Sequence, residues 1–157
     1  MEPKICPDTG NTLPHDHDEI AADDVLIRRV NEGEHVVYDD NLGSRRLSSK
    51  LFRCSTRGSK SWSVDHERLI QSDGLDPREF VTVDRYIGSV SVSGERLRSC
   101  NTIVGYEPVP GNPYHCGVWP ANRQKSRFTR GQRNDIWRAV SWYVEIPNVL
   151  LGAPPVA

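Results

Sequence analysis

The stretch NPYHCGVW, residues 112–119, leads a His-Cys pair out of an Asn-Pro turn into a short apolar run. His115 carries a side chain that can give or take a proton near neutral pH. Asp65, in SWSVD, is a carboxylate able to orient an imidazole. Ser48 and Ser49, in RLSSKLF, can assist at an oxyanion, and Arg28 and Arg29, in VLIRRV, can hold a phosphate. Arg45 and Arg46 add two more cations for an anionic ligand. Each residue also has an ordinary structural role. Asp65 at a helix start is explained by capping and the helix dipole. His115 in a strand can be half-buried with one backbone hydrogen bond, and the serines can satisfy backbone groups at a turn.

The elements that must position these groups are short. VLIRRV (25–30) and HVVY (35–38) read as strands, and DDNLGSRR supplies turn chemistry after HVVY. In LSSKLFRCS, Leu47, Leu51 and Cys54 recur at i, i+4 and i+7, which predicts a short helix. SWSVDHERLIQSDG reads as a helix with Ser63 as N-cap and Gly74 at its end. FVTVDRYIGSVSV (80–92) reads as a strand with a bulge at Gly88, and SGERLRSC as a turn or two of helix. NTIVGYEPV and YHCGVW read as strands joined by a Pro-Gly-Asn-Pro turn. TRGQRNDIWRAVSWYV reads as an amphipathic helix stopped by Pro147. Strands mixed with short helices, without βαβ alternation, predict an α+β domain with a small, mostly antiparallel sheet and a C-terminal amphipathic helix. The expected organisation is a flexible acidic tail over 1–22, one α+β domain over 23–147, and a C-terminal tail over 148–157.

The near-neutral net charge of −1 conceals an asymmetry. Residues 1–40 carry 11 acids against 3 Lys/Arg, whereas residues 41–157 carry 10 against 17. Segment 45–60 holds Arg45, Arg46, Lys50, Arg53, Arg57 and Lys60 without an acid. Segment 123–133 holds Arg123, Lys125, Arg127, Arg130 and Arg133, again without one. Such clusters suit phosphates, an acidic partner or the acidic front end of the chain itself, and are otherwise a solvated surface. An acidic tail that masks a basic patch would be autoinhibitory, and its removal would then strengthen polyanion binding. No run approaches the roughly 20 apolar residues of a membrane helix, and the N-terminus has no secretory signature, so the expected location is the cytoplasm, without a membrane partner. Four scattered cysteines give no disulfide framework.

LIRRV, RLSSKLF, SWSVD, GLDP and NPYHCGV, in that order over residues 25 to 120, resemble a pattern of small bacterial proteins with no established activity. The resemblance implies a shared fold more than a shared reaction. Within it, Arg29, Ser48, Ser49, Asp65 and His115 stand out. An arginine-bearing strand followed by a serine-rich segment also resembles the layout of ADP-ribosyltransferase-like folds. The glutamate such enzymes use has no clear counterpart here, with Glu145 a late alternative.

Other chemistries have weaker signatures. CPDTG lacks the second cysteine of a zinc knuckle. His15 and His17 in HDHDE sit in an expected tail, where nothing holds ligands in place, so neither metal nor other cofactor is expected. Neither a P-loop nor a G-x-G-x-x-G is present. Basic runs near Phe52 and Phe128 combine charge with stacking surfaces that suit single-stranded nucleic acid. Trp119, Trp137 and Trp142 could instead anchor another protein.

These residues support two functional expectations. One is a non-catalytic interaction module for a larger protein, an accessory component of a bacterial multi-protein system of defence or toxin type. The other is a small enzyme or toxin-like effector acting on a nucleotide or nucleic acid through His115. The module is favoured at this level because every candidate catalytic residue has a structural explanation. Geometry discriminates between them: an enzyme requires Asp65, His115 and an arginine in one concave pocket.

Overall fold

The computed structural model describes residues 1–122 and 125–155. Its strands are β1 (Val25–Asn31), β2 (Val36–Asp39), β3 (Ser44–Leu47), β4 (Trp62–His66), β5 (Tyr86–Ser93), β6 (Thr102–Tyr106), β7 (His115–Pro120), β8 (Ser141–Val144) and β9 (Val149–Leu150). Short helices α1 (Glu32–His35), α2 (Glu67–Ser72), α3 (Pro77–Val81), α4 (Gly94–Arg98) and α5 (Arg130–Ala139) lie between them. A six-stranded antiparallel sheet runs β6-β7-β4-β1-β5-β8, and a small sheet runs β2-β3-β9. The chain is α+β.

Several elements differ from the sequence reading, each for a local reason. SWSVDH is strand β4, not the start of a helix, because alternate residues Trp62, Val64 and His66 face one buried side. The helix cap is His66, whose Nδ1 accepts from the Leu69 N–H, and not Ser63. Asp65 therefore caps nothing. Asp76 and Pro77 start α3, since an Asp N-cap followed by a proline is pre-set for a helix, and β5 begins only at Tyr86. The expected bulge is present: β1–β5 pairing passes from Val30↔Gly88 to Asn31↔Tyr86 and skips Ile87. Helix α5, closed by the Thr129–Gln132 capping box, stops at Ala139, and the alternating SWYV becomes edge strand β8. Over Ser49–Phe52 the expected helix is a single 3-10 turn capped by Ser48.

The main core joins both sheets and α5. Trp62, Phe52 and Trp137 stack in series, with Phe52 6.3 Å from Trp62 and 5.0 Å from Trp137 between ring centroids. Each such side chain contributes about 1.5–3 kcal/mol on burial. The expected tails lie against this body. Ile20 is fully buried, the His17 N–H donates to the Val104 carbonyl, and Asp16 accepts from the Val104 N–H and Arg98. At the other end, Val149 is buried and β9 pairs in parallel with β3. Val156 and Ala157 of the expected C-terminal tail lie outside the described residues.

Candidate active site

The site originates in a fork of the main sheet. Strands β1 and β4 pair only at Leu26↔His66 and Ile27↔Asp65. Beyond that point β1 follows β5 and β4 follows β7, so the two strands part. Arg28 spans the gap. Its Nη1 donates to the Ser63 carbonyl at 3.2 Å, a β4 acceptor, and its Nε to the Leu51 carbonyl at 3.3 Å in the 3-10 turn. A cleft of about 300 Å³ opens at the fork, lined by Arg28, Arg29, His35, Asp65, Tyr86 and His115 among others.

Asp65 and Arg29 form one wall. Arg29 Nε donates to Asp65 Oδ2 at 2.8 Å, and Asn112 Nδ2 donates to Asp65 Oδ1 at 2.6 Å. The Arg29 guanidinium also lies over the Phe80 and Tyr86 rings. With Asp65 only 3 % exposed, this is a buried pair whose charges cancel. Arg28 differs. Both its hydrogen bonds go to neutral carbonyls, and no carboxylate among the described residues forms an ion pair with it. Burial pushes its pKa down to about 10, so it remains a cation at neutral pH. A cation that is desolvated but unpaired favours an anionic ligand.

The two imidazoles are held in opposite tautomers. His115 Nδ1 lies 2.6 Å from the Glu107 carbonyl, an acceptor, so Nδ1 carries the proton and Nε2 of the neutral ring keeps its lone pair. Behind it, the buried Glu107 carboxylate accepts from Ser61 Oγ at 2.6 Å and lies 3.6 Å from His115 Nδ1. His35 is the reverse: its Nδ1 accepts from the Asn31 N–H, so the proton sits on Nε2. Burial, with Arg28 nearby, pulls its pKa down to about 4 and keeps it neutral. The cleft thus gathers the Arg28 cation, the neutral His35 and His115, with the Glu34 carboxylate also on its lining. That combination can bind an anion and move one proton beside it.

Of the residues singled out from the sequence, Arg28, Arg29, Asp65 and His115 meet here. Asp65 does not orient His115; Glu107 does. Ser48 and Ser49 are elsewhere: the Ser48 hydroxyl accepts from the Lys50 N–H and its own N–H donates to the His35 carbonyl, while Ser49 sits in the 3-10 turn. Arg45 is paired with Glu32 at the start of α1, and Arg46 with Asp39 across β3 and β2. Glu145 is exposed beyond β8. His35, Asn112 and Glu107 were not singled out from the sequence. The Asn-Pro turn that brings Asn112 to Asp65 was visible in it, but the pairing was not.

No family model, curated protein or solved structure matches the chain.

The tryptophans expected at a partner surface turn inward. Trp119 and Trp137 are buried and donate to the Ser59 and Leu151 carbonyls, and half-buried Trp142 packs on the core. Phe128, expected to offer a stacking face, is 2 % exposed. Near the N-terminus, Asp16 pairs with Arg98 and Asp24 with Arg68, while Glu32 and Asp39 pair with Arg45 and Arg46 of the first basic segment. His15 packs on Trp119, and His17 meets Glu19. Among the described residues, no group of three His, Cys, Asp or Glu side chains forms a metal site, all four cysteines are free, and no helix is long and apolar enough to cross a membrane.

Proposed function

We propose that the protein is a small enzyme acting on a phosphate-bearing nucleotide, with His115 Nε2 as the acid/base and Arg28 with His35 Nε2–H gripping the phosphate. The observation that carries this reading is the shared cleft lined by Arg28, a desolvated cation without an ion-pair partner among the described residues, and by His115, whose Nδ1 is tied to the Glu107 carbonyl. Asp65 and Arg29 act as a rigid neutral wall, and the Glu107 carbonyl holds the His115 imidazole in place. At about 300 Å³ the cleft is at the small end of ligand pockets and suits one nucleotide.

The test is a panel of mononucleotides and dinucleotides, with binding read from the unfolding midpoint and turnover by chromatography. The expected result is one nucleotide that stabilises the protein, an effect lost in Arg28→Gln and retained in part in Arg28→Lys. Turnover should fall by about 10²–10⁴-fold in His115→Ala while binding survives. Binding without turnover in the wild type would remove the enzyme and leave an anion-binding site.

The interaction-module reading has one supporting observation of its own. The small sheet exposes Val37, Tyr38, Leu42 and Leu150 to solvent. Co-purification of a partner, abolished by Tyr38→Asp, would support that face.

A further inference from the structure

The two basic segments, far apart in sequence, meet in one groove of about 840 Å³. Arg53 and Lys60 line it from one segment, and Arg127, Arg130 and Arg133 from the other. Arg123, in the second segment, lies outside the described residues. No carboxylate lines this groove. None of the five groove cations forms an ion pair with a described residue, unlike Arg29, Arg45, Arg46, Arg68, Arg98 and Arg138; Arg57, Arg78, Arg85 and Arg96 share that state, but the groove gathers five such cations in one place. Burial and the neighbouring Arg53, Arg130 and Arg127 hold Arg133 below its usual range, the mark of a cluster lacking its counter-charge.

The groove is also joined to the His115 cleft. Ser55 lines both the groove and an adjoining hollow of about 370 Å³, and Ser63 and His115 line both that hollow and the cleft at the fork. The connecting hollow is lined by one further cation, Arg57, and by the buried Glu107 beside His115.

We infer that the groove binds the backbone of a single-stranded nucleic acid and guides one of its nucleotides to the His115 cleft. The guiding step rests on the function proposed for His115; the binding step does not. A single strand is favoured over a duplex because chemistry in so small a cleft requires a nucleotide free of its base pair. Contacts are to phosphates and not to bases, since the one aromatic side chain in the groove, Phe128, is buried.

The experiment is fluorescence anisotropy of labelled oligouridylate and oligodeoxythymidylate across a salt series, on the full chain. The logarithm of affinity should fall with the logarithm of salt with a slope between about −2 and −3.5, as for three to five phosphate contacts. Arg130→Gln and Arg133→Gln should each reduce that slope by about 1. His115→Ala should bind as the wild type does. Cross-linking with thio-substituted oligonucleotides should label peptides containing both Phe128 and His115. A salt slope untouched by the arginine variants, or equal affinity for a poly-glutamate peptide, would overturn the inference, the second in favour of an acidic protein segment. Labels confined to Phe128 would overturn the guiding step alone. Binding with both labels but no nucleotide turnover would uphold the groove and refute His115 as acid/base.

Discussion

Asp65 and His115 face each other directly across strands β4 and β7, yet each is held by a different partner. Asp65 is tied to Arg29 and Asn112, and His115 to Glu107. The cross-strand position puts both side chains on one face of the sheet, and the separate anchoring leaves His115 Nε2 free.

Removing one half of the buried pair should be costly. Asp65→Ala leaves the Arg29 guanidinium without its counter-charge and is expected to cost about 3–5 kcal/mol. The double variant Asp65→Leu with Arg29→Met should recover most of that loss. Denaturant unfolding of the three variants checks this, and additive losses would show that the pair is not coupled.

His35 makes stability depend on pH. Its folded value of about 4 lies below the ordinary 6.5, so the fold favours the neutral ring. Below pH 6.5 the unfolded chain takes up the proton first, and stability falls as pH drops from about 6.5 to about 4, by up to about 3 kcal/mol. His66, also held below its usual range by burial, adds a loss of the same sign. In His35→Gln the unfolding midpoint should vary less over this window, and the slope that remains reports His66.

Gly117 allows the group behind His115 to close. A Cβ there would lie 2.7 Å from the Trp119 ring and 2.9 Å from Glu107 Oε1. Gly117→Ala should cost about 1–3 kcal/mol and displace Glu107. The His115 ring resonances should shift in NMR spectra, while a substitution at exposed Gly10 leaves them unchanged.

The N-terminal segment is expected to act as part of the core. Ile20→Ala should destabilise by about 2–5 kcal/mol, because Ile20 is fully buried. Deleting residues 1–22 should lower the unfolding midpoint without raising polyanion affinity, since the paired acids it removes, Asp16 and Glu19, are bound to Arg98, to His17 and to the N-terminal amine. A gain in affinity would restore the masking role.

Much of the fold was legible along the chain. The strand-like runs VLIRRV, NTIVGY and HCGVW match β1, β6 and β7, and the α+β class follows from the mixture of short elements. Where the pattern was ambiguous, in SWSVDH and SWYV, a short stretch fitted helix and strand alike, and burial against distant strands made each a strand. The residue types also named His115, Asp65 and the arginines as groups with chemical capacity, and marked both basic segments.

What the tertiary structure alone decided is which of those groups are free. Arg29 and Asp65 stand 36 residues apart, Asn112 and Asp65 47 apart, and Ser61 and Glu107 46 apart. Local pattern carries no information on pairing at such separations, because it arises only when the sheet closes. The sequence by itself determined the α+β class, most of the strands and the chemical inventory. Tertiary structure paired Arg29, Arg45 and Arg46 with carboxylates, opened the fork where Arg28 binds only carbonyls, and tied one nitrogen of His115 to Glu107.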